Sequence, residues 1–163
     1  MNMKTTIILT AFRPSSVKIS RMERNIYVPP QGPPQGPGPS REIYPLMGEE
    51  NIFKMLSDFY QELGKSSIRA MFPENLEEAS RKSAKFFVQV LGGPPLYVID
   101  HGPPRMRARH IPFEIDEAAR QVWLSCFMKV LENADKKYNF PLQHMTGFKD
   151  FLEGFSAWMV NKS

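Results

Sequence analysis

Residues 91–123 read LGGPPLYVIDHGPPRMRARHIPFEIDEAARQVW, and the reading of this stretch decides the fold. Gly92-Gly93-Pro94-Pro95 cannot carry a helix onward, because glycine is costly in a helix interior and proline lacks the amide donor, so a helix ends at Leu91. An arginine-rich segment then delivers His110, Pro112-Phe113 makes a turn, and Asp116 opens the next helix as its N-cap. Trp123 stands thirteen residues beyond His110, about two turns into that helix. A histidine at the end of a basic segment, followed at once by a turn, can aim one imidazole nitrogen into a cavity as a metal ligand does.

Outward from this stretch the pattern is helical. Ile52, Met55, Leu56, Phe59, Tyr60 and Leu63 recur at the spacing of one apolar helix face, and Phe72-Pro73 breaks the run. Asn75 caps a second helix with Glu78 in the capping-box position; Leu76, Ala79, Ser83, Phe86, Phe87, Val90 and Leu91 form its inward side. The helix opened by Asp116 repeats apolar residues at 119, 122, 123, 126, 127, 130, 131 and 134. Pro141 precedes a fourth, with Leu142, Met145, Phe148, Leu152, Phe155 and Met159 on one side. Gly147 and Gly154 weaken it by about 1 kcal/mol each relative to alanine, so packing must hold it. No strand-like alternation competes, and periodicity alone implies a small α-helical bundle.

The chain has 163 residues, enough for one domain with its own core. Its basic balance is uneven. Residues 1–46 hold six Lys/Arg against two Glu, a net of +4, while residues 47–163 hold fifteen of each sign. The alkaline character belongs to the leading segment and does not mark the domain as a nucleic-acid binder. Eight of the fifteen prolines lie in residues 1–46, and residues 29–39 read PPQGPPQGPGP, which reads as a disordered or polyproline-like spacer preceding a domain over 47–163. The start, MNMKTTIILTAF, has the lysine and apolar run of a secretory signal, but Arg13 interrupts it and no clean small-x-small cleavage site follows. No run approaches the ~20 apolar residues that span a bilayer. A single Cys126 excludes an intramolecular disulfide and fits a reducing, cytoplasmic setting.

The Gly-Gly-Pro-x-x-Tyr stretch at 92–97, the Arg-x-Arg-His-x-Pro-Phe run at 107–113 and the tryptophan thirteen residues after the histidine closely resemble the group II truncated haemoglobins. The resemblance spans roughly residues 47–160. It implies an all-α truncated globin fold, a two-over-two helical sandwich around haem b, with His110 as the proximal iron ligand. His101, in the Gly/Pro loop, reads as solvated, and His144 as exposed or helix-packing.

The resemblance also assigns the pocket. Tyr60 and Trp123 become the distal donors, since a phenol O–H or indole N–H aimed at a ligand that gathers negative charge makes a strong hydrogen bond. Phe72 packs on the haem where many relatives carry tyrosine. Counting back from Gly92-Gly93 puts Ala79 at the haem gate, Ser83 above the iron in place of a bulkier leucine or glutamine, and Phe86 on the inner wall. Lys82, Arg109 and Tyr97 match propionate contacts, whereas Arg105 and Arg107 either contribute or are solvated. Pro103 replaces a rim histidine common in relatives. Met106, Ile111, Phe113 and Ile115 are candidates for the proximal apolar wall. Trp158 and Cys126 read as core.

Such a haem implies reversible binding of dioxygen and other diatomic ligands. It further implies either nitric oxide dioxygenation or peroxide reduction, or else non-catalytic oxygen transport, storage, scavenging or sensing. Redox chemistry needs electrons, and the chain has no nucleotide fingerprint such as a strand followed by G-x-G-x-x-G, so a separate reductase is expected. The expected assembly is a monomer or weak homo-oligomer, with no nucleic-acid or membrane partner.

Overall fold

The computed structural model describes residues 24–163, and among them there is no strand. Four long helices carry the fold. The helix Glu49–Gly64 (α2) follows the short α1 (Ile43–Met47), and its predicted apolar face is its buried one: Ile52, Met55, Leu56, Phe59 and Leu63. Glu49 and Glu50 occupy its first turn, where the helix dipole favours negative charge. The next long helix, α3 (Leu76–Val90), begins as the capping pattern predicts: Asn75 Oδ1 accepts from the Glu78 amide at 3.0 Å. Its inward residues divide in two. Ser80, Ala84, Phe87 and Val88 pack into the core, while Ala79 and Ser83 turn toward a cavity.

Two one-turn helices, α4 (Leu96–His101) and α5 (Met106–His110), carry the chain to α6 (Glu117–Leu131). Asp116 caps α6 by accepting from the Ala119 amide at 2.8 Å. The expected apolar run to Ala134 is interrupted, because α6 ends at Leu131 and Ala134 begins α7 (Ala134–Tyr138). Asn133 and Asn139 bracket α7 in the left-handed conformation, which asparagine tolerates better than most residues. A 3₁₀ turn, Leu142–His144, precedes α8 (Met145–Met159). Leu142, expected on the apolar side of the last helix, sits on that turn outside the helix register and is 59% exposed.

Helix α2 packs on α3 and α6, and α6 packs on α8, giving the two-over-two arrangement. Phe59, Phe87, Phe127 and Phe148 meet at its centre, with Phe59 and Phe127 ring centroids 4.3 Å apart and Phe127 and Phe148 5.8 Å apart. Each such pair adds about 0.5–1.5 kcal/mol beyond area burial.

The apolar run near the start, residues 6–12, lies outside the described residues. Residues 24–46, read from sequence as a spacer, lie against the helical body. Pro29 and Pro39 are buried, and the Gly32 amide donates to the Pro29 carbonyl at 3.0 Å. Gly32 and Gly36 have positive φ, so the repeated PPQG forms successive bends instead of an extended polyproline helix. Ile43 is fully buried, and the Tyr44 amide donates to the Leu91 carbonyl at 3.0 Å. This crossing explains the glycine pair. A Cβ on Gly92 would meet the Arg41 carbonyl at 1.9 Å, and one on Gly93 would meet the Tyr44 ring at 2.6 Å.

Candidate functional site

A cavity of about 510 Å³ opens between α2, α3, α5, α6 and α8. That lies within the roughly 300–1,000 Å³ usual for small-molecule and cofactor sites. Thirteen of the residues proposed from sequence line it, although they come from seven separate elements and turns; Ile111, expected on the proximal wall, does not, and its carbonyl accepts from Arg24 instead.

His110 closes α5. Its Nδ1–H donates to the Met106 carbonyl one turn earlier at 2.6 Å, and because a carbonyl only accepts, the proton sits on Nδ1. Burial lowers the pKa of this imidazole from its ordinary value; the Met106 carbonyl opposes that shift and the Lys82 charge adds to it. His110 is therefore held neutral, with the Nε2 lone pair uncommitted to any described residue. This is the state in which imidazole ligates iron.

Tyr60 stands on α2, deeply buried, and burial raises its phenol pKa with the Ser83 hydroxyl opposing. The hydroxyl stays protonated and is a donor at neutral pH. Its ring meets Phe72 edge-on at 5.8 Å. Trp123, on α6, is packed edge-on against Phe59 at 5.3 Å and tilted on Phe155 at 6.4 Å. Trp123 lines the cavity, and its indole N–H has no hydrogen-bond partner among the described residues. Phe86 completes the aromatic frame, 5.6 Å from Phe155 and 6.0 Å from Tyr97. Met106 and Ile115 line the wall below, and Phe113 stands at the mouth, 49% exposed.

The expected basic rim divides. Lys82 is exposed at the mouth, close enough for its charge to act on both His110 and His101. Arg109 turns three of its donors inward: Nε to the Pro104 carbonyl at 2.7 Å, and Nη2 to His101 at 2.7 Å and Pro103 at 3.1 Å. Its guanidinium lies over the Tyr97 ring at 5.4 Å, so it ties the α4–α5 loop together beside the cavity. Arg107, left open as contributing or solvated, does neither. It donates to the carbonyls of Trp158, Val160 and Tyr27 and lies over the Trp158 ring at 4.3 Å. His101, read as a solvated loop residue, ends α4 and packs on Tyr97 at 5.0 Å. His144 bonds Glu42 at 3.1 Å, far from the cavity wall.

Sequence reasoning missed the part played by α8. Phe155, Ser156 and Met159 line the cavity, as does Arg120, which is held by Ser156 at 3.0 Å, Glu117 at 2.6 Å and Glu153 at 2.8 Å. Phe155 and Met159 were legible as one apolar face, but periodicity does not say which side of a bundle is hollow.

Among the described residues no group of three or more His, Cys, Asp or Glu could hold a bare metal ion. One neutral imidazole in an apolar, aromatic cavity with positive charge at its mouth fits a different ligand: an iron already held by the four nitrogens of an anionic porphyrin.

The family model of the bacterial-like globins matches residues 42–154. The group 2 truncated hemoglobin YjbI of Bacillus subtilis (strain 168) is 38% identical over 91 residues, which are 55% of this chain and 69% of that protein. Among solved structures, phosphate-bound Hell's gate globin IV is similar with a TM-score of 0.72 at 38% identity, covering 79% of this chain and 80% of the other. A truncated oxygen-avid haemoglobin from Bacillus subtilis matches with a TM-score of 0.65 at 34% identity, covering 72% of this chain and 98% of the other.

Proposed function

The chain belongs to the bacterial-like globins, among the group II truncated haemoglobins, and from that membership we propose that it binds haem b and uses the dioxygen held there to oxidise nitric oxide. The family binds haem and, through it, diatomic ligands such as dioxygen. One dioxygen, one nitric oxide and one electron make one nitrate, so the electron comes from a separate reductase. When bound, haem supplies the ferrous iron at which diatomic ligands are held and reduced.

The observation that carries this reading is the pairing of a neutral, carbonyl-oriented His110 with two uncharged donors, Tyr60 O–H and Trp123 N–H, in the wall of one apolar cavity. His110 is the proximal ligand. Its Nδ1–H bond to Met106 fixes both tautomer and ring orientation. Tyr60 and Trp123 hold a negatively polarised ligand in a site from which the surrounding rings exclude water, where hydrogen bonds act at full strength. Phe72 supports the Tyr60 ring without adding a competing hydroxyl. Ser83 keeps the space beside Tyr60 small and polar. Lys82 offers the propionate edge a free cation. Strong retention of dioxygen favours chemistry on the ligand over its delivery. The oxygen-avid character stated for the Bacillus subtilis relative supports the same reading.

Two measurements test it. His110→Ala removes the single histidine among the described residues that lines the cavity, and it should abolish stable haem binding and the Soret band of a haem–imidazole complex. Oxygenated protein mixed with nitric oxide should yield one nitrate per haem on rapid mixing. Fast oxygen release with little nitrate would leave simple oxygen binding as the function.

A further inference from the structure

The turn that presents His110 cannot hold itself. Helix α5 has five residues, whereas isolated helices shorter than ~12–15 residues are marginal, and its last carbonyls have no partner within it. The Phe113 amide donates to the His110 carbonyl at 3.0 Å in the following turn, and the other partners come from the two ends of the described chain. Asn161 is fully buried, and every polar atom it owns is engaged. Its Nδ2 donates to the His110 carbonyl at 3.1 Å, and its Oδ1 accepts from the Ile115 amide at 3.0 Å. Its backbone amide donates to the Ile115 carbonyl at 2.9 Å, and its carbonyl accepts from the Tyr27 amide at 3.0 Å. Arg24 closes the arrangement. Nη1 donates to the Asn161 carbonyl at 2.9 Å and to its Oδ1 at 3.0 Å, while Nη2 donates to the Ile111 carbonyl at 2.6 Å. Arg107, on α5 itself, reaches back to the Tyr27 carbonyl at 2.8 Å and the Val160 carbonyl at 3.0 Å.

Three stretches of chain, around residues 24–27, 107–115 and 158–162, are thus joined by charge-assisted and buried hydrogen bonds behind the histidine. None of these bonds touches the cavity side of the imidazole. We propose that Arg24 and Asn161 are positioning residues for His110: by holding the carbonyls of His110 and Ile111 they set the orientation of the imidazole, and with it the strength of its bond to haem iron. The inference rests on His110 being the proximal ligand. It makes the segment beginning at Arg24 part of the haem-binding unit.

The test uses full-length haem-loaded protein and two substitutions that leave the cavity wall intact. Arg24→Ala removes the guanidinium from a partly exposed position. Asn161→Asp keeps the acceptor for Ile115 and Arg24 but loses the donor to His110. The readouts are the iron–histidine stretching band in the ferrous, ligand-free state and the rate of haem transfer to an excess of a haem-scavenging globin. Both variants should shift the band and speed haem loss by roughly tenfold, the lower end of the ten- to hundredfold typical when an outer-shell partner of a metal ligand is lost. Arg24→Lys, which keeps the charge but not the fork, should fall between them and wild type.

Tyr138→Phe is the control, since it removes the 2.5 Å bond from Tyr138 to Asp58 away from this cavity; it should lower thermal stability and leave the band unmoved. An unchanged band and unchanged haem loss in Arg24→Ala and Asn161→Asp would overturn the inference, as would an equal shift in Tyr138→Phe. A wild-type protein without an iron–histidine band, or a band that survives in His110→Ala, would instead overturn the ligand assignment on which it rests.

Discussion

Tyr60 and Trp123 reach the same cavity from α2 and α6, and each brings one uncharged donor. A hydrogen bond to a charged acceptor contributes about 1.5–3 kcal/mol. Tyr60→Phe or Trp123→Phe should therefore speed dioxygen release by roughly ten- to a hundredfold. Carbon monoxide gathers less charge on its outer atom, and its release should change far less. Stopped-flow rates for both gases separate hydrogen bonding from steric caging, which would alter the two alike. Trp123 was picked out by its spacing of thirteen residues from His110, and Tyr60 by the resemblance to the family. The state of His110 was not. Its neutral form and tautomer follow from burial and the Met106 carbonyl, which only the folded chain provides.

At the scale of the element, the four long helices were legible because their signals are local. An apolar face recurs every three or four residues, and a cap acts within one turn. Asn75→Ala removes the cap of α3, the helix that carries Ala79, Lys82, Ser83 and Phe86 to the cavity, and should cost about 1 kcal/mol. Melting temperature should fall by roughly 2–4 °C, with a looser haem as its companion. Gly147 sits in α8 with open space where a Cβ would go and no positive φ, so Gly147→Ala should stabilise by about 0.5–1 kcal/mol in denaturant titration. No stabilisation would mean that the first turn of α8 already frays. The short helices α1, α4, α5 and α7 were not legible, since five or six residues carry too little periodicity to declare a face.

Among the described residues the chain packs on the helical body from Arg24 onward, well before Met47 where the helical pattern begins. Ile43 is fully buried and Ile26 is 38% exposed, although both lie in the segment read as a spacer. Ile43→Ala should cost about 2–5 kcal/mol in equilibrium unfolding, as for other buried large-to-small substitutions. Ile26→Ala should stay within about 0.5 kcal/mol of wild type. Equal, small effects at both positions would detach the segment from the body. Among the described residues no helix is long and apolar enough to cross a membrane.

The sequence by itself determined the four long helices and the caps at Asn75 and Asp116, and its resemblance to the family pointed to thirteen residues that line one cavity. The helices and caps rest on interactions within a turn, and the site residues on the resemblance. Only the tertiary structure decided that the glycine pair at 92–93 exists to let residues 41–44 pass, that Arg109 ties a loop together, and that Arg24 and Asn161 meet behind His110. Arg24 and Asn161 lie 137 residues apart, and no periodicity or motif links positions at that distance. Their pairing exists because the local turn gives the His110 carbonyl one donor, the Phe113 amide, and the Ile111 carbonyl none among the described residues, so the second donor and the missing one come from distant chain.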